Sequence, residues 1–356
     1  MSKKTVAVIF GGFSPEYEVS LNSAYSVIKA IDTEKYDVLM LGITNKGKWY
    51  RYTGSVEELP NDNWHKNEQF LCKALISSDR GGGIIIFEDG NTSTVNVDVV
   101  FPVLHGRYGE DGTIQGLCEL SGIPVVGSGS AASALCMDKD RAHKVISLAG
   151  ITVPKAVSFE AVPLAEELMT AVKELTLPVF VKPIKAGSSI GVSKLDKYND
   201  IPAAVKEAFI YDDAVIIEEN ISGKEVGCSV IGNTDLQTGR VNEIEVSQGF
   251  FDFKEKYTLK TSKIHTPGRI DAESERRVQE TGKKIFKALG CRGYARIDMF
   301  LKEDGDIVFS EANTIPGFTA HSQLPRMMKA AGIDYPELVD LLLSLSLEVK
   351  RGEWYG

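Results

Sequence analysis

Arg296-Ile297-Asp298-Met299-Phe300 and, after a polar interruption, Phe309-Ser310-Glu311-Ala312-Asn313 decide how this chain is read. Ile297, Met299 and Phe300 suggest one strand, Val308 and Phe309 a second. Residues 302–306, with Gly305, suggest the hairpin turn between them. That pairing brings the oxygens of Asp298, Glu311 and Asn313 together. Two carboxylates and an amide oxygen make a hard, all-oxygen donor set, suited to Mg²⁺ held together with substrate phosphates. Arg296 lies two residues before Asp298, so it falls on the same strand face and can reach a phosphoryl oxygen. The plainer alternative is a hairpin with solvated acidic side chains, and the rest of the chain decides between the two.

The 356 residues suffice for two or three domains, and a hydrophobic fraction of 43% allows a sizeable core. A net charge of −9 argues against a general nucleic-acid binder, which needs a basic surface. The five cysteines (Cys72, Cys118, Cys136, Cys228, Cys291) include no C-x-x-C pair, so they read as small apolar residues rather than a zinc or disulfide framework. No signal-peptide pattern and no bilayer-spanning stretch is found, so the expected location is cytoplasmic, with no membrane partner.

The β-branched run Thr5 to Phe10, followed by Gly11-Gly12, reads as a buried parallel strand meeting a tight turn. Residues 20–31 have helical spacing, 38–43 and 97–104 read as strands, 112–121 as a helix, and 125–127 as the start of another short strand. This alternation predicts an N-terminal parallel α/β domain over residues 1–135, with 53–95 as an irregular decoration. Residues 136–222 read as a small α+β domain, with strands at 179–183, 190–193 and 214–219. Residues 223–356 read as a third domain of antiparallel strands, with helices over 273–289 and from Tyr335 onward.

Other groups cluster at strand ends. Lys182 closes an apolar strand and the loop Lys185-Ala186-Gly187-Ser188-Ser189 follows. Backbone N–H groups, serine hydroxyls and lysine charge there form a candidate phosphate grip, although no Walker A spacing occurs. The strand ending in Glu218-Glu219, with Glu225 beyond it, is a candidate nucleoside contact or a solvated acidic loop. His105 follows the apolar run 99–104, at the carboxyl end of a parallel strand, where open α/β sheets bind ligands. Glu16 lies between Gly11-Gly12 and the first helix; it can bind a substrate ammonium or simply favour the helix N-terminus.

Taken in order, Gly11 to Ser20, Leu104-His105-Gly106-Arg107 through Asp111-Gly112-Thr113, and Met137-Asp138-Lys139 resemble the D-alanine–D-alanine ligase family. So do Val181-Lys182-Pro183 with Gly187-Ser188-Ser189, Lys256-Tyr257, Arg296-Ile297-Asp298, and Glu311-Ala312-Asn313 through Gly317. The resemblance covers nearly the whole chain. It implies a three-domain ATP-grasp fold that phosphorylates a first D-alanine and then lets a second amino acid attack the acyl phosphate, giving a dipeptide for peptidoglycan precursors. It also implies ATP and two Mg²⁺ ions (Mn²⁺ as a substitute) on Asp298, Glu311 and Asn313. By the same resemblance Lys139 and Lys182 bind phosphate, and Glu218, Ile221 and Glu225 frame the adenosine. Glu16 and His105 receive the first D-alanine. Arg296 and the Gly317 N–H stabilise the oxyanion, and Ser322 binds the second carboxylate. A homodimer is implied as well. An inactive ATP-binding regulator would be expected to lack a metal ligand or Arg296, and this chain keeps them.

Residues 248–263 read as a flap that shields the acyl phosphate from water. Within it, Tyr257, next to Lys256, is implied to join Glu16 and Ser188 in a closing triad and to favour an amide product over an ester. Phe250-Phe251-Asp252-Phe253 and several other segments resemble the VanG-type D-alanine–D-serine ligases. One position departs, since that type has arginine where this chain has Gln323. Gln323 can hydrogen-bond a serine hydroxyl and would be underused beside a methyl group. This tilts the expected second substrate towards D-serine and leaves D-alanine open.

Overall fold

The apolar run that opens the chain forms strand β1 (Lys4–Gly11), buried along most of its length. It pairs in parallel with β2 (Tyr36–Ile43) and β7 (Val99–Val103). Helix Tyr17–Ala30 connects β1 to β2 and buries Leu21, Ala24 and Val27, a crossover connection of the kind parallel neighbours need. The structure is a computed structural model and describes residues 3–88, 90–246 and 262–348.

The first sheet extends well beyond its parallel centre. β3 (Trp49–Tyr52), β4 (Leu71–Ile76), β5 (Ile84–Glu88) and β6 (Asn91–Val95) add antiparallel strands, giving the order β6-β5-β4-β3-β2-β1-β7. Residues 53–95 therefore carry three strands of this sheet, β4, β5 and β6, and are not irregular throughout. Their strands are short, and β6 reads Asn-Thr-Ser-Thr-Val, which has no apolar face of its own; pairing with β5 supplies what periodicity lacks. The strand expected at 125–127 reduces to a single bridge between Val100 and Val125.

Trp64 anchors the connecting loop. Its ring stands edge-on to Phe10 at 5.0 Å and to Tyr52 at 5.9 Å. Its Nε1 donates to the Tyr17 hydroxyl, which donates in turn to Asp62.

The second sheet is β10-β9-β11-β8, formed by β8 (Ala156–Phe159), β9 (Val179–Pro183), β10 (Ser193–Leu195) and β11 (Val215–Glu219). The strand expected at 190–193 starts only at Ser193. Ser188, Ser189 and Gly191 have positive φ, which excludes extended backbone. The third sheet has β12 (Lys224–Gly232), β13 (Gln237–Thr238), β14 (Asn242–Val246), β15 (Ser262–His265), β16 (Gly293–Leu301) and β17 (Ile307–Asn313). Its order is β15-β14-β12-β16-β17, with β13 beside β12. Helix Ala272–Ala288 buries Val278, Ile285 and Phe286 on it. Helix Tyr335–Glu348 packs Leu338, Val339, Leu342 and Leu343 into one core with Val6, Val8 and Phe101 of the first sheet. No helix among the described residues is long and apolar enough to cross a membrane.

Burial pushes the Cys118 and Cys228 thiols up to about 12, so both act as small core residues. Far apart in sequence, Cys136 and Cys291 meet in the core with sulfurs 3.6 Å apart.

A Cβ at Gly42 would stand 2.4 Å from the Trp64 ring and 2.9 Å from Phe10. Gly42→Ala should therefore overpack this contact and lower stability by about 1–3 kcal/mol in urea unfolding. An unchanged midpoint would mean that Trp64 moves aside freely.

Candidate functional site: a cleft between two sheets

The hairpin expected from the sequence is β16–β17, with a bulge after Asp298. Asp298 is the direct cross-strand partner of Glu311, and Arg296 of Asn313. On the other side Asp298 faces Gly227, which faces Asn242. Asn242, Gly227, Asp298 and Glu311 thus form one row across four strands, and direct partners project to the same face.

Arg296 and Asp298 are both largely buried and share a two-pronged ion pair. Nε lies 2.8 Å from Oδ1 and Nη2 lies 2.7 Å from Oδ2. Burial works against the guanidinium charge, but Asp298 beside it, with Glu311 and Glu110 beyond, more than offsets this and raises its pKa. Asn313 Nδ2 donates to Asp298 Oδ2 at 2.9 Å, which leaves the Asn313 amide oxygen available to a cation. Among the described residues no group of three His, Cys, Asp or Glu side chains is arranged to hold a metal ion; the donor set is the two carboxylates and the amide. That chemistry fits a hard cation that keeps other oxygen ligands, as Mg²⁺ does with phosphates.

Lys139 follows Asp138, whose carboxylate caps helix Lys139–Leu148. Its Nζ donates to Ala186 O at 2.9 Å and stands 3.9 Å from Glu311. It therefore ties the 184–189 loop to the carboxylate row. Lys182 turns instead to Glu218, on the neighbouring strand, in a close ion pair. The Glu218 Oε2 is buried and has no partner among the described residues. A buried orphan acceptor is costly, and the exocyclic amine of a purine is a group that would satisfy it. Lys139, Lys182, Glu218, Ile221, Glu225 and Glu311 all line one cleft, between Phe180 of the second sheet and Phe300 of the third. Residues from three distant segments, expected to hold a nucleotide, thus share one space.

A second group centres on Glu16. Ser188 donates a short hydrogen bond to its Oε1. Gly106 has φ +71, and a Cβ there would stand 2.5 Å from Glu16 Oε2, so only glycine admits the carboxylate. His105 is buried nearby. Its Nδ1 lies 2.9 Å from Ile315 O and 3.6 Å from Glu110 Oε1, and its Nε2 lies 3.3 Å from Ser23 Oγ. Burial alone would lower the His105 pKa. Glu110, Glu16 and the Ile315 carbonyl outweigh it, and the net shift is upward. Burial, reinforced by Glu16, raises that of Glu110.

The third group lies after β17. Ser322 precedes helix Gln323–Ala330, accepts from Thr319 N at 3.0 Å and sits beside Gly317. Gln323 Oε1 accepts from Asn242 Nδ2 at 2.8 Å, while Asn242 Oδ1 accepts from Gly227 N at 2.8 Å. The backbone N–H can meet only an oxygen, so Asn242 must present its amine to Gln323. Gln323 must then offer its oxygen, and its amide NH2 is the donor that remains among the described residues. Phe251, Lys256, Tyr257 and nearly all of the 248–263 flap lie outside the described residues.

Sequence reasoning passed over Ser23, Glu110 and Asn242. Glu110 lies just before Asp111 in the motif that runs from Leu104 to Thr113, and Ser23 within the residues 20–31 read as helical. Asn242 carried no sequence signal.

Residues 5–128 match the family described as D-ala D-ala ligase N-terminus and residues 145–344 its C-terminus. The chain belongs to the D-alanine–D-alanine ligase family. It is 44% identical to the vancomycin B-type resistance protein VanB of Enterococcus faecalis, over 98% of this chain and all of that one. It is 41% identical to a D-alanine–D-alanine ligase of Caldicellulosiruptor bescii, over 99% of this chain and 97% of the relative. Among solved structures, the VanG D-Ala:D-Ser ligase of Enterococcus faecalis superposes with a TM-score of 0.90 at 52% identity, covering 97% of this chain and all of that one. The fold is that of these ATP-grasp ligases, and the enzyme is an ATP-dependent ligase joining D-alanine to a second substrate.

Arg296→Lys keeps a positive charge at the row but loses the planar fork that Asp298 engages. It should lower dipeptide formation by about 10²-fold, read as ATP-dependent phosphate release with D-alanine. Turnover within a few-fold of the parent would show that charge alone is needed.

Proposed function

We propose that the protein makes D-alanyl-D-serine, through a D-alanyl phosphate, for peptidoglycan precursors. The observation that carries the choice of D-serine is the fixed amide of Gln323. Its oxygen is engaged by Asn242, and its amine remains to donate to a side-chain hydroxyl. D-Alanine, with a methyl group there, would leave that donor without a partner. A site built to hydrogen-bond a hydroxyl discriminates against the substrate that lacks it. The 52% identity to the VanG D-Ala:D-Ser ligase supports the same reading.

In this scheme a carboxylate oxygen of the first D-alanine attacks the γ-phosphorus of ATP, and ADP leaves. The amine of the second amino acid then attacks the acyl carbon and loses a proton, and phosphate leaves. Glu16 and His105 receive the first D-alanine, and Ser188 and Tyr257 join Glu16 in the triad that closes the flap. Lys139 and Lys182 attract phosphate oxygens, and Glu218, Ile221 and Glu225 line the adenosine site. Asp298, Glu311 and Asn313 would hold two Mg²⁺ ions, with Mn²⁺ as a substitute, which neutralise charge on the phosphates. Arg296 and the Gly317 N–H face the oxyanion that forms on the acyl carbon. Ser322, at a helix N-terminus, receives the second carboxylate. Phe251 and Lys256 complete the second-substrate side, and the 248–263 flap excludes water. The domains fall at 1–135, 136–222 and 223–356, and the enzyme works as a cytoplasmic homodimer. A role in vancomycin resistance follows from D-serine as the second substrate.

Incubation with ATP, Mg²⁺ and equal D-alanine and D-serine, with products identified by mass, should give mainly D-alanyl-D-serine. Gln323→Met should shift the product ratio towards D-alanyl-D-alanine by about 10-fold or more. Dominant D-alanyl-D-alanine from the parent, unchanged in the variant, would overturn the assignment of D-serine.

A further inference from the structure

The segment Thr314-Ile315-Pro316-Gly317-Phe318 leaves β17 directly after Asn313 and carries the Gly317 N–H. Both of its ends terminate on one pair of side chains from the first sheet and its helix. The Ile315 carbonyl meets His105 Nδ1 at 2.9 Å. The Phe318 N–H donates to Ser23 Oγ at 3.3 Å. Ser23 Oγ and His105 Nε2 are themselves 3.3 Å apart, which closes the ring.

Donor and acceptor roles follow from the groups. A carbonyl only accepts, so His105 Nδ1 carries the proton. When the imidazole is neutral, Nε2 accepts the Ser23 hydroxyl proton; when it is protonated, as Glu110 and Glu16 favour, Nε2 donates to Ser23 Oγ, and Ser23 accepts from Phe318 in both forms. The contacts that hold the two ends of the segment are therefore kept in either form. Ser23 is fully buried and His105 nearly so, and water has no access to replace a lost partner.

The rest of the segment is held by packing. Tyr335 donates its hydroxyl to Phe318 O at 2.6 Å. The Phe318 ring sits among Phe101, Tyr294 and Tyr335, with centroids 6.0, 5.4 and 5.8 Å away. Gly317, which has no side chain to pack, lies between the two anchored peptides. Its N–H direction therefore depends on the hydrogen bonds on either side.

We propose that Ser23 is a positioning residue for the condensation step: with His105 it clamps both ends of the 315–318 segment and so aims the Gly317 N–H. This rests on the reading of Gly317 as an oxyanion donor. It also couples the two substrate sites, because the histidine placed beside the first D-alanine is the one that holds this segment.

Ser23→Ala removes one hydroxyl and adds no volume. It should lower kcat for dipeptide formation roughly 10- to 100-fold, with the KM for ATP unchanged. Scrambling of the ATP β,γ-bridging oxygen, which reports reversible D-alanyl phosphate formation, should persist. Ser23→Thr, which restores a hydroxyl, should recover part of kcat. If Ser23→Ala does not accumulate as folded protein, Tyr335→Phe frees the Phe318 carbonyl from the other side and should show the same split between kcat and scrambling. Equal losses in scrambling and condensation, with Ser23→Thr no better than Ser23→Ala, would overturn the assignment and leave Ser23 a structural residue. Parent enzyme that makes no dipeptide with either second substrate would instead overturn the proposed activity.

Discussion

Arg296 and Asp298 lie on one face of one strand, both largely out of water, and neither charge is tolerable there alone. Their mutual ion pair is the constraint on which the site depends. It fixes the direction of the Arg296 fork and of the Asp298 carboxylate. Asn313, the cross-strand partner of Arg296, then has only one way to turn its amide. The bulge after Asp298 shifts the register, so that the carboxylates of Asp298 and Glu311 remain opposite each other while Met299 packs into the core. A buried pair of this kind adds little net stability, but it imposes one arrangement.

The site is assembled from three sheets. The second sheet contributes Lys182 and Glu218, the third contributes the carboxylate row, and Lys139 reaches both the 184–189 loop and Glu311. The first sheet and the third share a core through helix Tyr335–Glu348. That shared core lets His105 and Ser23 act on a segment more than two hundred positions along the chain. The second sheet has a core of its own, so the Lys139 and Ser188 contacts link it to the remainder at the cleft.

Much of this was legible in the chain itself. The Asp298, Glu311 and Asn313 hairpin, the strand ending at Lys182 and the buried parallel centre all follow from short-range pattern, because strand alternation and turn chemistry are local. The antiparallel extension over 53–95 was not. β6 has polar residues on both faces, and a strand of that composition exists only because β5 offers its edge. Trp64 gave no local sign that it seals the first core. The meeting of Cys136 with Cys291 likewise has no signature at the level of spacing.

The sequence by itself determined the residue types available to the chemistry, their order, and the strands that carry them, since periodicity and motif are properties of neighbours along the chain. Only the tertiary structure decided their orientation. Lys182 turns to Glu218, both ring nitrogens of His105 are engaged, and a backbone N–H at Gly227 sets the amide of Asn242 and through it that of Gln323. Hydrogen-bond direction is set by whichever donors and acceptors meet in a dry interior, and those partners come from segments that only the fold brings together.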